Sequence, residues 1–499
     1  MNAAMLATTP GGGLLVAAIT VPVIGILLLW LVRPRDVETV ALAALLANLG
    51  VALAVLEKVA AGAAPLVYLI GGWQPPLGLA LRADGIAAVF MAMAAIVLVP
   101  VAVYARGQFG APGERRPMVF WTMLLAITAA LNLIFLGEDL FNLYVALELL
   151  TFAAVPLVSL DGSRETLKAA LRYLVFALAG SVLYLLGVAI IYGAYGTLDL
   201  GGLAALRGPD GALLVAVGLM TAGLAAKTAL FPLHLWLPPA HAGAPPAASA
   251  VLSALVVKGS FFIALRLWFD LLPPERAVAG STLLGVFGAA AVVVGSAMAL
   301  RQARLKLLVA YSTVAQLGYL FLVFPLGLGS GAAPFESTAW TAGALQLMAH
   351  AFAKAAMFMA AGLVYEAIGH DRIAEFRGLG RIAPLTVLTM TLASISLMGL
   401  PPSGGFSAKW LMLTAAFGEG AWWWVLVIAA GGLLAAGYVF RILVPAFTPP
   451  EEPAARKKPV VVTREAAALA LALAAILIGF LPLAPWPLLA VGRIAAGAP

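Results

Sequence analysis

The 499-residue sequence contains no cysteine. That excludes disulfides, thiol catalysis, Cys-ligated iron–sulfur clusters and Cys zinc sites. Charge is scarce as well: Asp, Glu, Lys and Arg make up 10% of the chain, where a soluble domain carries about 25%. A soluble globular domain is thereby excluded, and so is a disordered chain, which is charged and poor in apolar side chains. The start, Met1 to Gly13, has no basic n-region and no small-residue cleavage site, so no signal peptide is expected. What is abundant is hydrophobic side chains, at 63%. The composition fits a polytopic membrane protein whose solvent is mostly lipid. In such a chain the net charge of +7 reports orientation before it suggests nucleic acid.

Apolar stretches of about 18 or more residues are candidate spans. Fourteen occur, near 13–32, 38–56, 84–104, 117–135, 139–160, 169–194, 211–231, 245–267, 278–300, 305–326, 338–364, 384–417, 421–446 and 466–490. They lack period-2 alternation, so the expected fold is all-α and not a transmembrane barrel. Loop charge tests the count. Odd loops hold 19 basic residues: Arg33, Arg35, Arg106, Arg115, Arg116, Arg164, Lys168, Arg172, Arg301, Arg304, Lys306, Arg372, Arg377, Arg381, Arg441, Arg456, Lys457, Lys458 and Arg464. Even loops and the C-terminus hold 6: Lys58, Arg82, Arg207, Arg266, Arg276 and Arg493. This asymmetry places the odd loops in the cytoplasm and both termini outside.

Two spans are interrupted. Phe231-Pro232 breaks the seventh, and Gly399-Leu-Pro-Pro-Ser-Gly-Gly405 lies inside the twelfth. Proline removes a backbone donor, and unwound backbone at membrane depth is tolerated only in protein or beside a wet cavity. Breaks five helices apart suggest two inverted five-helix repeats. The expected organisation is an N-terminal three-helix segment (1–110), a first repeat of helices four to eight (111–270), a second of helices nine to thirteen (271–446), and a cytoplasmic loop with the final helix (447–499).

Four lysines remain unplaced, Lys227, Lys258, Lys354 and Lys409, all inside spans. Each opposes insertion by roughly 2.5–3.5 kcal/mol near a helix centre. Glu148 is the acid expected within a span. It lies about 13 Å beyond Asp139, and Lys258 about 18 Å beyond Pro246, at 1.5 Å per residue. Both fall near the midplane. A buried lysine can accept and release a proton near neutrality, whereas arginine remains fixed charge. His350 and Lys354, at i and i+4, share a helix face, and His234 and His241 flank the seventh-helix break. Lys306 is a further candidate at the edge of the tenth span. Blander readings stand beside these: Glu148 as a structural ion pair with a lysine, Lys409 snorkelling, and His241 bonding a carbonyl freed by the break.

The stretch Lys227-Thr-Ala-Leu-Phe-Pro-Leu-His-Leu-Trp-Leu-Pro-Pro-Ala-His241 and the segment Ala254-Leu-Val-Val-Lys258-Gly carry a family resemblance. So do Asp139-Leu-Phe-Asn-Leu-Tyr-Val-Ala-Leu-Glu148, Ala310-Tyr-Ser-Thr-Val-Ala-Gln-Leu-Gly318 and Gly399-Leu-Pro-Pro-Ser-Gly-Gly-Phe-Ser-Ala-Lys409. Over about residues 80–445 the chain resembles the antiporter-like subunits of respiratory complex I, membrane-bound hydrogenases and Mrp-type cation/proton antiporters, most nearly the Mrp D type. It departs from the common pattern at Pro239, where relatives carry an acid, and at Arg304 and Leu307.

The resemblance implies about fourteen helices in two inverted repeats and a horizontal mid-membrane chain of polar residues. By position it matches Glu148 and Lys227 to a glutamate–lysine pair, Lys258 to the central lysine, His350 and Lys354 to the eleventh-helix relay, and Lys409 to the exit side. The function expected is proton translocation within a multisubunit membrane complex, either an Mrp-type antiporter or the pump module of a complex I-like or hydrogenase-like oxidoreductase. No catalytic site, cofactor or metal of its own is expected. The expected partners are sister antiporter-like and small hydrophobic subunits, with H⁺ carried and Na⁺ left open, in the inner (plasma) membrane. A passive structural subunit and a stand-alone solute carrier are the alternatives.

Overall fold

In lipid a backbone has no hydrogen-bond partner but itself, so long runs of Leu, Ala, Val and Gly wind into helices. The computed structural model describes residues 7–109, 115–206, 211–329, 337–450 and 459–493. Residues Met1–Leu6 and the loop charges Arg207, Arg456, Lys457 and Lys458 lie outside the described residues. Among the described residues, thirteen helices are long and apolar enough to cross a membrane. The first eight are Gly13–Leu31, Pro34–Gly62, Gly85–Ala105, Arg115–Leu136, Leu140–Val158, Arg164–Tyr195, Gly211–Gly243 and Pro246–Leu271. Then come Arg276–Leu300, Leu305–Leu328, Thr338–Ile368, Trp422–Phe447 and Val462–Phe480. The remaining expected span, the twelfth, is two shorter helices, Pro384–Met398 and Gly404–Gly418. Several spans start on a side chain that accepts from the free N–H groups of the first turn, among them Asp84, Asp139, Ser163 and Ser337.

Burial sorts the spans into a centre and a rim. The apolar windows of the eighth, tenth and eleventh spans are 100%, 89% and 94% buried, against 28% for the first and second. The three central helices are the ones that carry Lys258, Lys306, His350 and Lys354. At the rim a polar contact repairs a proline. Pro22 in the first span has no N–H for the carbonyl of Ala18. The buried Asn132 amide, from the fourth span, donates to that carbonyl at 2.6 Å and to Asn48 Oδ1 at 2.8 Å.

The spans are helical as expected, and the loop after the second span adds one short two-stranded antiparallel hairpin, Leu66–Leu69 on Ala80–Ala83. The structure corrects three other expectations. The last span ends at Phe480, because Pro482, Pro485 and Pro487 cannot continue a helix. The chain then folds back, and the Gly85 N–H donates to the Val491 carbonyl at 3.0 Å. Arg266 and Arg493 are not solvated loop residues; their side chains are 2% and 3% exposed. Nor is Glu148 the lone acid within a span, since Asp270 lies buried one helical turn after Arg266.

Those residues form one network. Arg266 Nη1 lies 2.5 Å from Asp84 and 3.1 Å from Asp270, while Arg493 Nη2 lies 2.5 Å from Asp270. Arg82 reaches Glu138 at 3.6 Å and donates to the Gly492 carbonyl. Burial pushes the Asp84 carboxyl up, but the guanidinium groups of Arg266, Arg493 and Arg82 outweigh it and hold its pKa below the ordinary value. For Glu138 burial prevails over Arg82, and its pKa is raised.

A chain of buried lysines at two helix breaks

The first half of the seventh span ends at Thr228; Ala229 then takes a left-handed φ of 58° and the helix resumes at Leu237–Gly243. Lys227 occupies the last turn before the break, where a cation suits the helix dipole. Its Nζ lies 3.2 Å from Glu148 Oε1 and donates to Thr151 Oγ1 at 2.9 Å. The Ser181 hydroxyl also donates to Glu148. The expected pair between the fifth and seventh spans is therefore formed directly.

Thr228, next in sequence, shares a 2.8 Å hydroxyl–hydroxyl hydrogen bond with Ser260 on the eighth span. Lys258, on that span, is fully buried. The helix around it is locally wound with i→i+5 bonds over Leu252–Val256, and Lys258 Nζ donates to the Ser253 carbonyl at 2.5 Å. The Ser253 hydroxyl bonds Thr313 on the tenth span at 2.9 Å.

His350 is buried close enough to Lys258 and Lys354 to feel both charges, and neither ring nitrogen has a hydrogen-bond partner among the described residues. Lys354 Nζ donates to the Val309 carbonyl at 3.0 Å and to the Ser312 hydroxyl. His241 lies within electrostatic reach of Lys258, Lys354 and Lys306, its ring stacked on Phe358. Lys306 donates to the carbonyls of Ala244 at 2.6 Å and Ala242 at 3.4 Å, where the second half of the seventh span ends. His234 sits at the break itself, its ring tilted against Phe231.

At the second break Gly399 adopts a φ of 83°, and Ser403 caps the helix that follows by accepting from the Phe406 N–H at 3.1 Å. The turn is too tight for a side chain at Gly405, whose Cβ would lie 1.8 Å from the Ser396 carbonyl oxygen. Lys409 does not snorkel. It is 6% exposed and donates to the Leu397 and Met398 carbonyls, both at 2.9 Å, with its Nζ 4.7 Å from the centre of the Tyr319 ring. These are carbonyls that a helix end leaves without an internal partner.

Sequence reasoning missed the neutral groups between the charges. Ser312, Gln316, Gln346 and Tyr438 occupy the ground between Lys354 and Lys409. The signals for two of them were the i, i+4 spacing of Ser312 and Gln316 and their place in the Ala310–Gly318 motif. A cavity of about 1150 Å³ opens between the odd-numbered loops, with Arg116, Lys168 and Arg172 at its wall and Lys306 and Pro246 among its lining residues.

The family described as NADH:quinone oxidoreductase/Mrp antiporter, TM matches residues 137–435, which takes in both breaks and all four lysines. The chain belongs to this family. Among its relatives, the N-type subunit of an NADH-quinone oxidoreductase from Desulforudis audaxviator is 33% identical over 410 residues, covering 81% of this chain and 80% of that protein. The D-type component of a Na(+)/H(+) antiporter from Alkalihalophilus pseudofirmus is 32% identical over 355 residues, or 70% of each chain. In solved structures, a chain of the Mrp complex from Dietzia sp. DQ12-45-1b superposes with a TM-score of 0.87 over 97% of both chains, at 24% identity, which establishes the shared fold.

Proposed function

We propose that this chain is an ion-translocating subunit of a larger membrane complex and moves protons along Lys258, His350 and Lys354 to Lys409. The observation that carries this reading is the set of four buried lysines, Lys227 and Lys409 beside the two helix breaks and Lys258 and Lys354 on the helices between them. Such charges oppose insertion and by default mark a functional site, and each is held by carbonyl, hydroxyl or carboxylate oxygen. Lysine and neutral imidazole both accept and release protons, so the series can pass them on where arginine could not.

The Glu148–Lys227 pair acts as the switch in this account. Its acid is the more exposed partner, 14% against 6%, so a neighbouring subunit can reach it. Withdrawing that carboxylate leaves a buried cation unpaired, which favours release of a proton from the lysine series. His241 and Lys306 serve the cytoplasmic inlet, next to the cavity, and His234 stays a secondary candidate. The names of the relatives point to partners among NADH-quinone oxidoreductase-type and Na(+)/H(+) antiporter-type subunits. The basic odd loops support an orientation with both termini outside, in a plasma membrane. Residues 111–270 and 271–446 are read as the two repeats, each with one break and a lysine close to it.

The test is the double variant Lys227→Ala with Glu148→Ala, assayed for proton pumping or antiport in inverted vesicles. Transport is expected to fall severely in complexes that still assemble. Full transport by an assembled double variant would refute the switch.

A further inference from the structure

We infer that Gln316 interrupts the proton route between Lys354 and Lys409, acting as a proton-inert block that must move for each transfer. This rests on the lysine-relay reading above. On one side, the Lys354 ammonium meets the Ser312 hydroxyl, which lies one helical turn before Gln316 on the tenth span. Hydroxyls both accept and donate, so a proton can pass that far. The next group is the Gln316 amide. Its Nε2 faces the Leu397 carbonyl at 3.0 Å and the Tyr438 hydroxyl at 3.4 Å. A carbonyl can only accept, so the nitrogen must be on that side and presents only donors to Tyr438.

On the other side, Lys409 donates to the same Leu397 carbonyl and to that of Met398. The groups joining Tyr438 to Lys409 through these contacts are thus an amide and a backbone carbonyl, neither of which takes up and releases a proton near neutral pH. The amide is also clamped, because its Oε1 accepts from Gln346 Nε2 at 3.0 Å and all four groups are buried. Gln316 therefore does two things at once. It separates the two lysines, and it holds the Leu397 carbonyl beside the twelfth-span break, so a shift of that break would carry the amide with it. A permanent wire through this point would dissipate the gradient; a block tied to the break prevents it.

The test compares Gln316→Glu and Gln316→Met, both near in shape to the native side chain, in the assembled complex. Passive proton flux is read in vesicles under an imposed membrane potential with no driving reaction, alongside coupled transport. A carboxyl at this position can accept and release a proton, so Gln316→Glu should raise passive flux severalfold and lower coupling. Gln316→Met should stay as tight as the wild type. A tight Gln316→Glu complex, or equal leak in both variants, would overturn the inference. Lys258→Met in parallel separates the two ideas: full transport there removes the relay reading itself, whereas lost transport with a tight Gln316→Glu removes the block alone.

Discussion

Replacing Arg266 with methionine removes one of two guanidinium groups from a buried set of four charges. Wild type balances Arg266 and Arg493 against Asp84 and Asp270, with Arg266 2.5 Å from one acid and 3.1 Å from the other. The variant leaves two carboxylates facing one guanidinium, a net unpaired negative charge in side chains at most 3% exposed. Removing one partner of a buried ion pair costs about 3–5 kcal/mol, mostly the desolvation of the charge left behind. At about 1.4 kcal/mol per tenfold change this is roughly two to three and a half powers of ten in the folded-to-unfolded ratio. Replacing paired charges together is far cheaper, so Arg266→Met with Asp270→Asn, which restores balance between Asp84 and Arg493, should recover much of the loss. The assay is the thermal unfolding midpoint of the detergent-solubilised complex for wild type and both variants. A single variant as stable as wild type, or a double variant as unstable as the single, would show that the network is not a balanced set of buried charges.

Asn132→Leu leaves the Ala18 carbonyl without a donor and should lower the midpoint by the equivalent of about 1–3 kcal/mol. Adding Pro22→Ala returns the helical N–H to that carbonyl and should lessen the loss, which the same thermal assay reads. Burial raises the pKa of Glu419, just beyond the end of the twelfth span, from 4.5 to about 7. The folded state then keeps a proton that the unfolded state has lost, so stability should fall as pH rises between those values and level off above them. Glu419→Gln should flatten that part of the pH–stability profile; an unchanged profile would show that Glu419 is not the titrating group.

Much of the site is legible because an apolar sequence makes every charge conspicuous. Lys227, Lys258, Lys354 and Lys409 stand out against the loop charges, and Pro232 and the Gly399–Gly405 run mark the two breaks. The same logic misplaces Arg266. Hydropathy ends the eighth span near it, and only the fold brings Asp84 from distant sequence to pair with it and Arg493 to share that acid. The final span reads too long for a related reason: Leu481–Ala490 carries no charged residue, and its three prolines are the signal that outweighs hydropathy. Gln316 and Tyr438 are not legible as partners, since neutral polar residues are ordinary inside spans and only packing joins the tenth span to the thirteenth.

The central claim is that Lys258 carries protons and is not merely a buried charge in a scaffold. Lys258→Met keeps most of the length of the side chain and removes both its charge and its exchangeable protons, at a fully buried position. Proton transport by the assembled complex in inverted vesicles is the deciding measurement. The account predicts transport at background level in a complex at least as stable as wild type, because a lone buried cation has been removed. Undiminished transport in that complex would contradict it.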